Sequence, residues 1–266
     1  MTFVSITDSN QWRYLLPNLL VLESFKRSYN YYIFGNNTYV TQLLITAIKS
    51  LNITYGTIYI DKIPSFFNTF KLSPTNTNHS WITPTTMDRF VVPLYTDIDK
   101  FLWLDCDTLI INEEIFNLEH VETSDKGIAA VATNTTLEDH IIYFSKADFL
   151  IDLAKDNSST FNAGVCLMDC NKLRSNNYVE FIREVYDRSE GGYVNDELIL
   201  NLYDQSFELL SPRYNCMTHK PFETKDPVIV HFSGKDFKPW LHHVYERGYY
   251  LKYYKLWEYF YLTLAD

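Results

Sequence analysis

The run Phe101-Leu102-Trp103-Leu104 leads into Asp105-Cys106-Asp107 and on into Thr108-Leu109-Ile110. Such an apolar run reads as a strand buried on both faces, of the kind found in the middle of a parallel sheet. Ligands of open α/β sheets bind beyond the carboxyl ends of such strands. Two carboxylates placed there repel each other and lose solvation unless a cation lies between them. Hard oxygen ligands favour Mn²⁺ or Mg²⁺. A lone Asp-x-Asp is more often a solvated turn, so the reading needs support from elsewhere in the chain.

The chain has 266 residues, enough for one large α/β domain, and 46% of them are hydrophobic, which supports a substantial core. A net charge of −10 argues against a nucleic-acid partner, which would demand a basic face. Acidity does not bar an anionic ligand, because a bound metal and a few local cations reverse the field in one cleft. Cys106, Cys166, Cys170 and Cys216 show neither zinc-site nor disulfide spacing. The first ten residues lack a basic region followed by an apolar one, and no stretch has the ~20 apolar residues of a membrane span. A soluble, cytoplasmic protein without signal peptide or transmembrane segment is expected.

Thr2 to Thr7, Tyr31 to Phe34 and Thr57 to Ile60 read as strands. Between them, Pro17 suits the first turn of one helix, and Thr38 is the expected cap of another with Val40, Leu44, Ala47, Ile48 and Leu51 on one face. The alternation predicts an α/β fold with a Rossmann-like, mostly parallel sheet flanked by helices. Ser73 to Thr86 reads as a loop, and Arg89 to Tyr95 as part of the helix after it. Strands are expected at Gly127 to Thr133 and Asn162 to Asp169, and Val179, Ile182, Val185 and Tyr186 have helical spacing. Leu137 to Thr160 mixes apolar and charged residues without clear period, and a surface insertion is one reading of it.

Three further segments bear on the Asp-x-Asp: Phe161-Asn162-Ala163-Gly164-Val165-Cys166-Leu167-Met168-Asp169, Asn195-Asp196-Glu197-Leu198-Ile199-Leu200-Asn201, and His231-Phe232-Ser233-Gly234-Lys235-Asp236-Phe237-Lys238-Pro239-Trp240. Together, in this order, they resemble the motif set of glycosyltransferase family 8, the retaining group that includes glycogenin and bacterial lipopolysaccharide glycosyltransferases. The resemblance runs from about Thr2 to about Trp240. It implies a single domain of GT-A type, with a nucleotide-binding half at about 1–110 and a sugar and acceptor half at 111–240; aromatic spacing adds a C-terminal helix at 241–266, so that one domain spans 1–266. It also implies transfer of a hexose, glucose favoured, from a UDP-sugar to an acceptor hydroxyl. In such relatives the region matching Leu137 to Thr160 lies near the acceptor, which makes a mobile lid the other reading of that segment.

The resemblance assigns the metal to Asp105, Asp107 and His231, with Asp105 also touching the ribose. An imidazole among oxygen ligands suits Mn²⁺ better than Mg²⁺. Gly234 would let the backbone approach the diphosphate, and Lys238 would stabilise its departing charge. Family members usually have two residues between that glycine and lysine; here there are Lys235, Asp236 and Phe237, so Lys235 remains a rival to Lys238. Asp8 and Asn10 match the segment that reads uracil and ribose, and Arg89 a basic residue that touches the donor. Asn162 and Ala163 match positions lining the donor sugar, and Asp196 an aspartate that hydrogen-bonds it. Glu197 stands where relatives commonly have Gln, near the reacting face, and Leu198 replaces an aspartate. A hydrogen-bonding part for Glu197 is preferred over direct stabilisation of, or attack on, an oxocarbenium-like sugar.

Two other functions compete with this one. In Pro212-Arg213-Tyr214-Asn215, Tyr214 aligns with the acceptor tyrosine of glycogenin, which admits a self-glucosylating protein. The other is a nucleotide-sugar-binding protein without transfer activity. Near the C-terminus, Tyr249, Tyr250, Tyr253, Tyr254, Trp257, Tyr259, Phe260 and Tyr261 crowd together, with Tyr250, Tyr253, Tyr254, Trp257 and Phe260 or Tyr261 on one helical face. That stripe is expected to dock on its own domain or in a homodimer, not on lipid.

Overall fold

Buried β-branched and aromatic runs build the sheets of this α/β protein. The computed structural model describes residues 1–70, 84–144, 148–154, 158–189, 194–220, 224–241 and 250–263. Its strands are β1 (Thr2–Thr7), β2 (Tyr29–Gly35), β3 (Gly56–Lys62), β4 (Lys100–Leu104), β5 (Thr108–Ile110), β6 (Ile128–Thr136), β7 (Ser159–Asp169), β8 (Glu208–Leu209), β9 (Cys216–Met217) and β10 (Ile229–His231). They fall into two compact units. One comprises Met1–Lys62, Leu102–Val121 and Ser211–Asp266; the other comprises Ile63–Phe101 and Glu122–Leu210.

In the first unit β3, β2, β1 and β4 lie side by side in that order, all parallel. Phe3, Val4, Tyr31, Ile33 and Leu102 are buried in its core. Pro17 sits at the start of helix Leu16–Ser24, where its missing N–H would have had no helical partner. Helix Thr38–Ser50 is capped by Asn37, not by Thr38. The Asn37 backbone is extended and its side-chain oxygen accepts the Val40 N–H at 3.0 Å, while Thr38 is already helical. A second, small sheet has β10 at its centre, antiparallel to β5 and parallel to β9.

Helix Leu251–Thr263 docks within this same unit. Tyr253, Tyr254 and Trp257 are buried, and the Tyr254 hydroxyl donates to the Phe237 carbonyl at 2.8 Å. Tyr14 stacks on Trp240 at 3.6 Å between ring centroids and reaches Trp257 at 5.9 Å. Tyr249 of the aromatic stripe lies outside the described residues.

In the second unit β6 is antiparallel to β7 and parallel to β8, so the architecture is mixed. Helix Tyr178–Arg188 buries Tyr178, Ile182, Val185 and Tyr186, the face its spacing predicts. Arg89 to Tyr95 is not one helix but a 3₁₀ turn Asp88–Val91 followed by the short helix Val92–Tyr95. Pro93 explains the break, because it cannot donate to the preceding turn and suits a new helical start. Of the expected loop, 73–83 lies outside the described residues, and Pro84–Met87 is a short helix. The stretch from Leu137 holds helices Leu137–Phe144 and Asp148–Ile151; 145–147 and 155–157 lie outside the described residues. Leu137, His140 and Ile141 are buried, which gives the first of these helices an inward face.

Among the described residues no helix is long and apolar enough to cross a membrane. All four cysteines are buried and none forms a disulfide.

Candidate active site

Buried β4 ends at Leu104, whose carbonyl accepts the Ser5 hydroxyl at 2.5 Å. The chain then turns, with the Asp105 carbonyl accepting both the N–H and the hydroxyl of Thr108, at 3.2 and 2.8 Å. Asn18, on helix Leu16–Ser24, clamps the next strand: its amide donates to the Thr108 carbonyl at 3.0 Å and accepts the Ile110 N–H at 2.8 Å. The antiparallel register of β5 and β10 sets His231 opposite Thr108, and the Phe232 N–H donates to the Asp107 carbonyl at 2.8 Å. Backbone pairing thus delivers the imidazole to the carboxylates. Ligand-capable atoms of Asp105, Asp107 and His231 lie within 4.8 Å of one another.

Within this cluster His231 Nε2 stands 3.4 Å from Asp107, and its Nδ1 is 3.1 Å from the Asn215 side-chain oxygen. Asp105 accepts the Trp103 indole N–H at 2.7 Å. The ammonium of Lys238 pairs with Asp107, whereas Lys235 is exposed. Burial alone would push the Asp107 carboxyl up. Lys238 first, and His231 after it, reverse this and hold it well below the usual carboxylate range. Both aspartates, His231 and Lys238 are therefore brought together in the first unit.

Gly234 has φ +88°, a left-handed conformation that disfavours any side chain, and its carbonyl accepts the Phe237 N–H at 3.2 Å. Close by, His219 Nδ1 meets the Ser233 hydroxyl at 2.7 Å. At the end of β1 one Asp8 oxygen accepts the N–H groups of Asn10 and Gln11 at 2.8 and 3.1 Å, and Asn10 is exposed. Asp8 therefore shapes its own loop.

A second cluster forms in the second unit. Arg89 is buried; it pairs with Asp196 at 2.7 Å and donates to the Ala163 carbonyl at 2.7 Å. Asn195 caps helix Asp196–Tyr203 by accepting the Leu198 N–H at 2.8 Å, which leaves Asp196 and Glu197 in the first turn, where the helix dipole favours them. One Glu197 oxygen accepts the Asn162 amide at 2.8 Å and the Ala163 N–H at 3.0 Å. His140 stands 3.8 Å from the other, and burial pulls its imidazole down to about 4 despite that carboxylate. Asn201 accepts the Phe161 N–H at 2.8 Å and donates to the Phe161 carbonyl at 2.9 Å, pinning β7 beside Asn162. Asn162, Ala163, Arg89, Asp196 and Glu197 thus form one hydrogen-bonded group. Leu198, in place of an aspartate, points into the core and is buried.

Asn18 and His140 carry no motif of their own, and Asn201 and Asn215, though they lie in segments named from the sequence, were given no part there. Tyr214 was singled out; its hydroxyl lies 3.4 Å from the Glu114 carbonyl, and Arg213 grips the Glu114 carboxylate at 2.7 and 2.9 Å.

The Glycosyl transferase family 8 model matches residues 6–243. A comparison with curated proteins finds no match to this sequence. Among solved structures, the galactosyltransferase LgtC, in complex with donor and acceptor sugar analogs, superposes with a TM-score of 0.73 at 19% identity, covering 100% of this chain and 97% of that one. The bifunctional glycosyltransferase WbbM gives 0.71 at 15% identity, over 100% of this chain and 51% of its own. The glycosyltransferase GlyE of Streptococcus pneumoniae gives 0.63 at 17%, over 98% and 60%. These likenesses concern the fold, which is of the GT-A type seen in LgtC. With its family match spanning both clusters and nearly the whole sequence, the chain belongs to glycosyl transferase family 8.

Proposed function

We propose that this protein is a metal-dependent retaining glycosyltransferase that moves a hexose, glucose favoured, from a UDP-sugar to an acceptor hydroxyl. The observation that carries the reading is the group Asp105, Asp107 and His231, within 4.8 Å, in a family 8 chain that also sets Lys238 on Asp107. Two carboxylates and one imidazole fit a divalent ion of the Mn²⁺ type, with Mg²⁺ the harder alternative. Asp105, Asp107 and His231 would hold it. When bound, such an ion supplies Lewis-acid neutralisation of the diphosphate that leaves.

Lys238 adds fixed positive charge for the same leaving group, on a flexible stem that can pass from Asp107 to a phosphate oxygen. Gly234 keeps its neighbourhood clear of a side chain. Asp8 and Asn10 keep their proposed parts toward uracil and ribose, and Arg89 its proposed part toward the donor. Asn162, Ala163, Asp196 and Glu197 are assigned to the sugar. Glu197 accepts two hydrogen bonds through one oxygen, which supports a positioning part for it over that of a nucleophile. In the retaining step the acceptor oxygen bonds C1 on the side where the C1–phosphate bond breaks, and a diphosphate oxygen takes the hydroxyl proton. No protein base is required.

LgtC is a galactosyltransferase, so galactose is the rival donor sugar. A hydrolysis screen over UDP-glucose, UDP-galactose and UDP-N-acetylglucosamine with Mn²⁺ tests the donor. UDP release is expected from the hexose donors and fastest from UDP-glucose. Release from none of them, with unhydrolysed donor bound, would instead make the protein a nucleotide-sugar binder.

A further inference from the structure

We propose that Asn215 is a positioning residue for the metal-binding imidazole: its side-chain oxygen holds the Nδ1–H of His231 and so presents Nε2, lone pair outward, on the Asp107 side. The inference rests on the metal-centre reading above and goes beyond its ligands. His231 Nδ1 and the Asn215 oxygen are 3.1 Å apart, and both residues are buried, each with 3% exposure. A neutral imidazole carries one proton, and only the bare nitrogen can ligate. An acceptor at Nδ1 keeps the proton there. Were the amide turned to offer its NH₂ group, Nδ1 would have to accept, the proton would move to Nε2, and that nitrogen could no longer bind an ion.

The backbone makes the placement stiff. Asn215 follows the 3₁₀ turn Pro212–Tyr214, capped by Ser211. Arg213 ties that turn to Glu114 through two hydrogen bonds, and its carbonyl accepts the Val228 N–H at 2.7 Å. The next residue, Cys216, opens β9, which runs parallel to β10 with Met217 opposite His231. Asn215 therefore reaches the ring from the position just ahead of a neighbouring strand of the same sheet, as expected of a rigidly held supporting group. This also gives Pro212-Arg213-Tyr214-Asn215 a part in building the metal centre that does not require Tyr214 to accept sugar.

The test measures Mn²⁺ binding with saturating UDP, reading free Mn²⁺ by electron paramagnetic resonance. It compares the 266-residue chain with Asn215→Leu, Asn215→Asp and Asp107→Ala. Imidazole ¹⁵N spectra of the metal-free proteins report the His231 tautomer. Asn215→Leu is expected to weaken Mn²⁺ binding about 10–100-fold and to lose the fixed Nδ1–H signature. Asn215→Asp, which keeps an acceptor, restores both. A folded Asn215→Leu with wild-type affinity and tautomer overturns the inference, while Mn²⁺ binding lost only in Asp107→Ala leaves the centre standing. Wild-type protein that binds Mn²⁺ no better than Asp107→Ala overturns both. Should Asn215→Leu not fold, the wild-type spectrum decides: a His231 ring without a proton on Nδ1 overturns the inference.

Discussion

Lys235 and Lys238 are separated by one turn of chain and differ in surroundings. Lys238 sits on the buried Asp107, whereas Lys235 is exposed. A lysine stabilising a leaving diphosphate belongs beside the carboxylates proposed to hold the ion. Lys238→Ala should therefore cut turnover by ~10²-fold or more, the typical loss for one electrostatic group, while Lys235→Ala changes it little. Steady-state kinetics of the two variants checks this, and the reverse ranking would transfer the role. Sequence named the two aspartates, His231 and Lys238 because each lies in a run with its own pattern. It gave no part to Asn18, Asn201 or Asn215, whose side chains bond backbone or imidazole partners at 2.8 to 3.1 Å across long loops of chain. An asparagine reads locally as a turn or cap residue. Only the fold tells which distant group it meets.

At the scale of elements, strands and helices with strong periodicity were legible: β1 spans Thr2–Thr7, and helix Tyr178–Arg188 buries the expected face. Boundaries set by competing caps were not. Asn37 outcompetes Thr38, and Pro93 splits a helix that composition alone would continue. The C-terminal helix shows what an aromatic stripe is for: Tyr253, Tyr254 and Trp257 are buried in the first unit, whereas Tyr259 is exposed. Trp257 lies 4.7 Å from Tyr261 and 6.3 Å from Trp240, centroid to centroid. Truncating such a side chain removes its transfer energy and leaves a cavity. Trp257→Ala is expected to lower stability by about 3–5 kcal/mol in urea unfolding, against a small effect for Tyr259→Ala. Equal stability of Trp257→Ala and wild type would mean that the helix is not part of the folded core.

For the whole molecule, pH acts on stability through a buried histidine. His140 is neutral in the native state, its imidazole pulled down by burial from 6.5 to about 4. Protonation then favours the unfolded chain, so the contribution is complete above pH 6.5 and is lost as pH falls toward 4. Its size is about 3 kcal/mol, since each tenfold difference in proton affinity between the folded and unfolded chain is worth ~1.4 kcal/mol. Urea unfolding across that range should show the loss in wild type and a flatter profile in His140→Gln; matching profiles would assign the acid sensitivity to other groups. The family match over residues 6–243 accords with what four motifs in order already implied, because motif order survives where overall identity does not. The motifs name residues for the donor sugar but do not separate glucose from galactose, and they leave the acceptor open. The central claim is that Asp105, Asp107 and His231 hold a divalent ion needed for transfer. Its most direct test is UDP release from UDP-glucose by chelator-treated protein, with and without added Mn²⁺, for wild type and Asp107→Ala. The account predicts no release in chelator, recovery with Mn²⁺ and no recovery in Asp107→Ala; full turnover of that variant in metal-free buffer would contradict it.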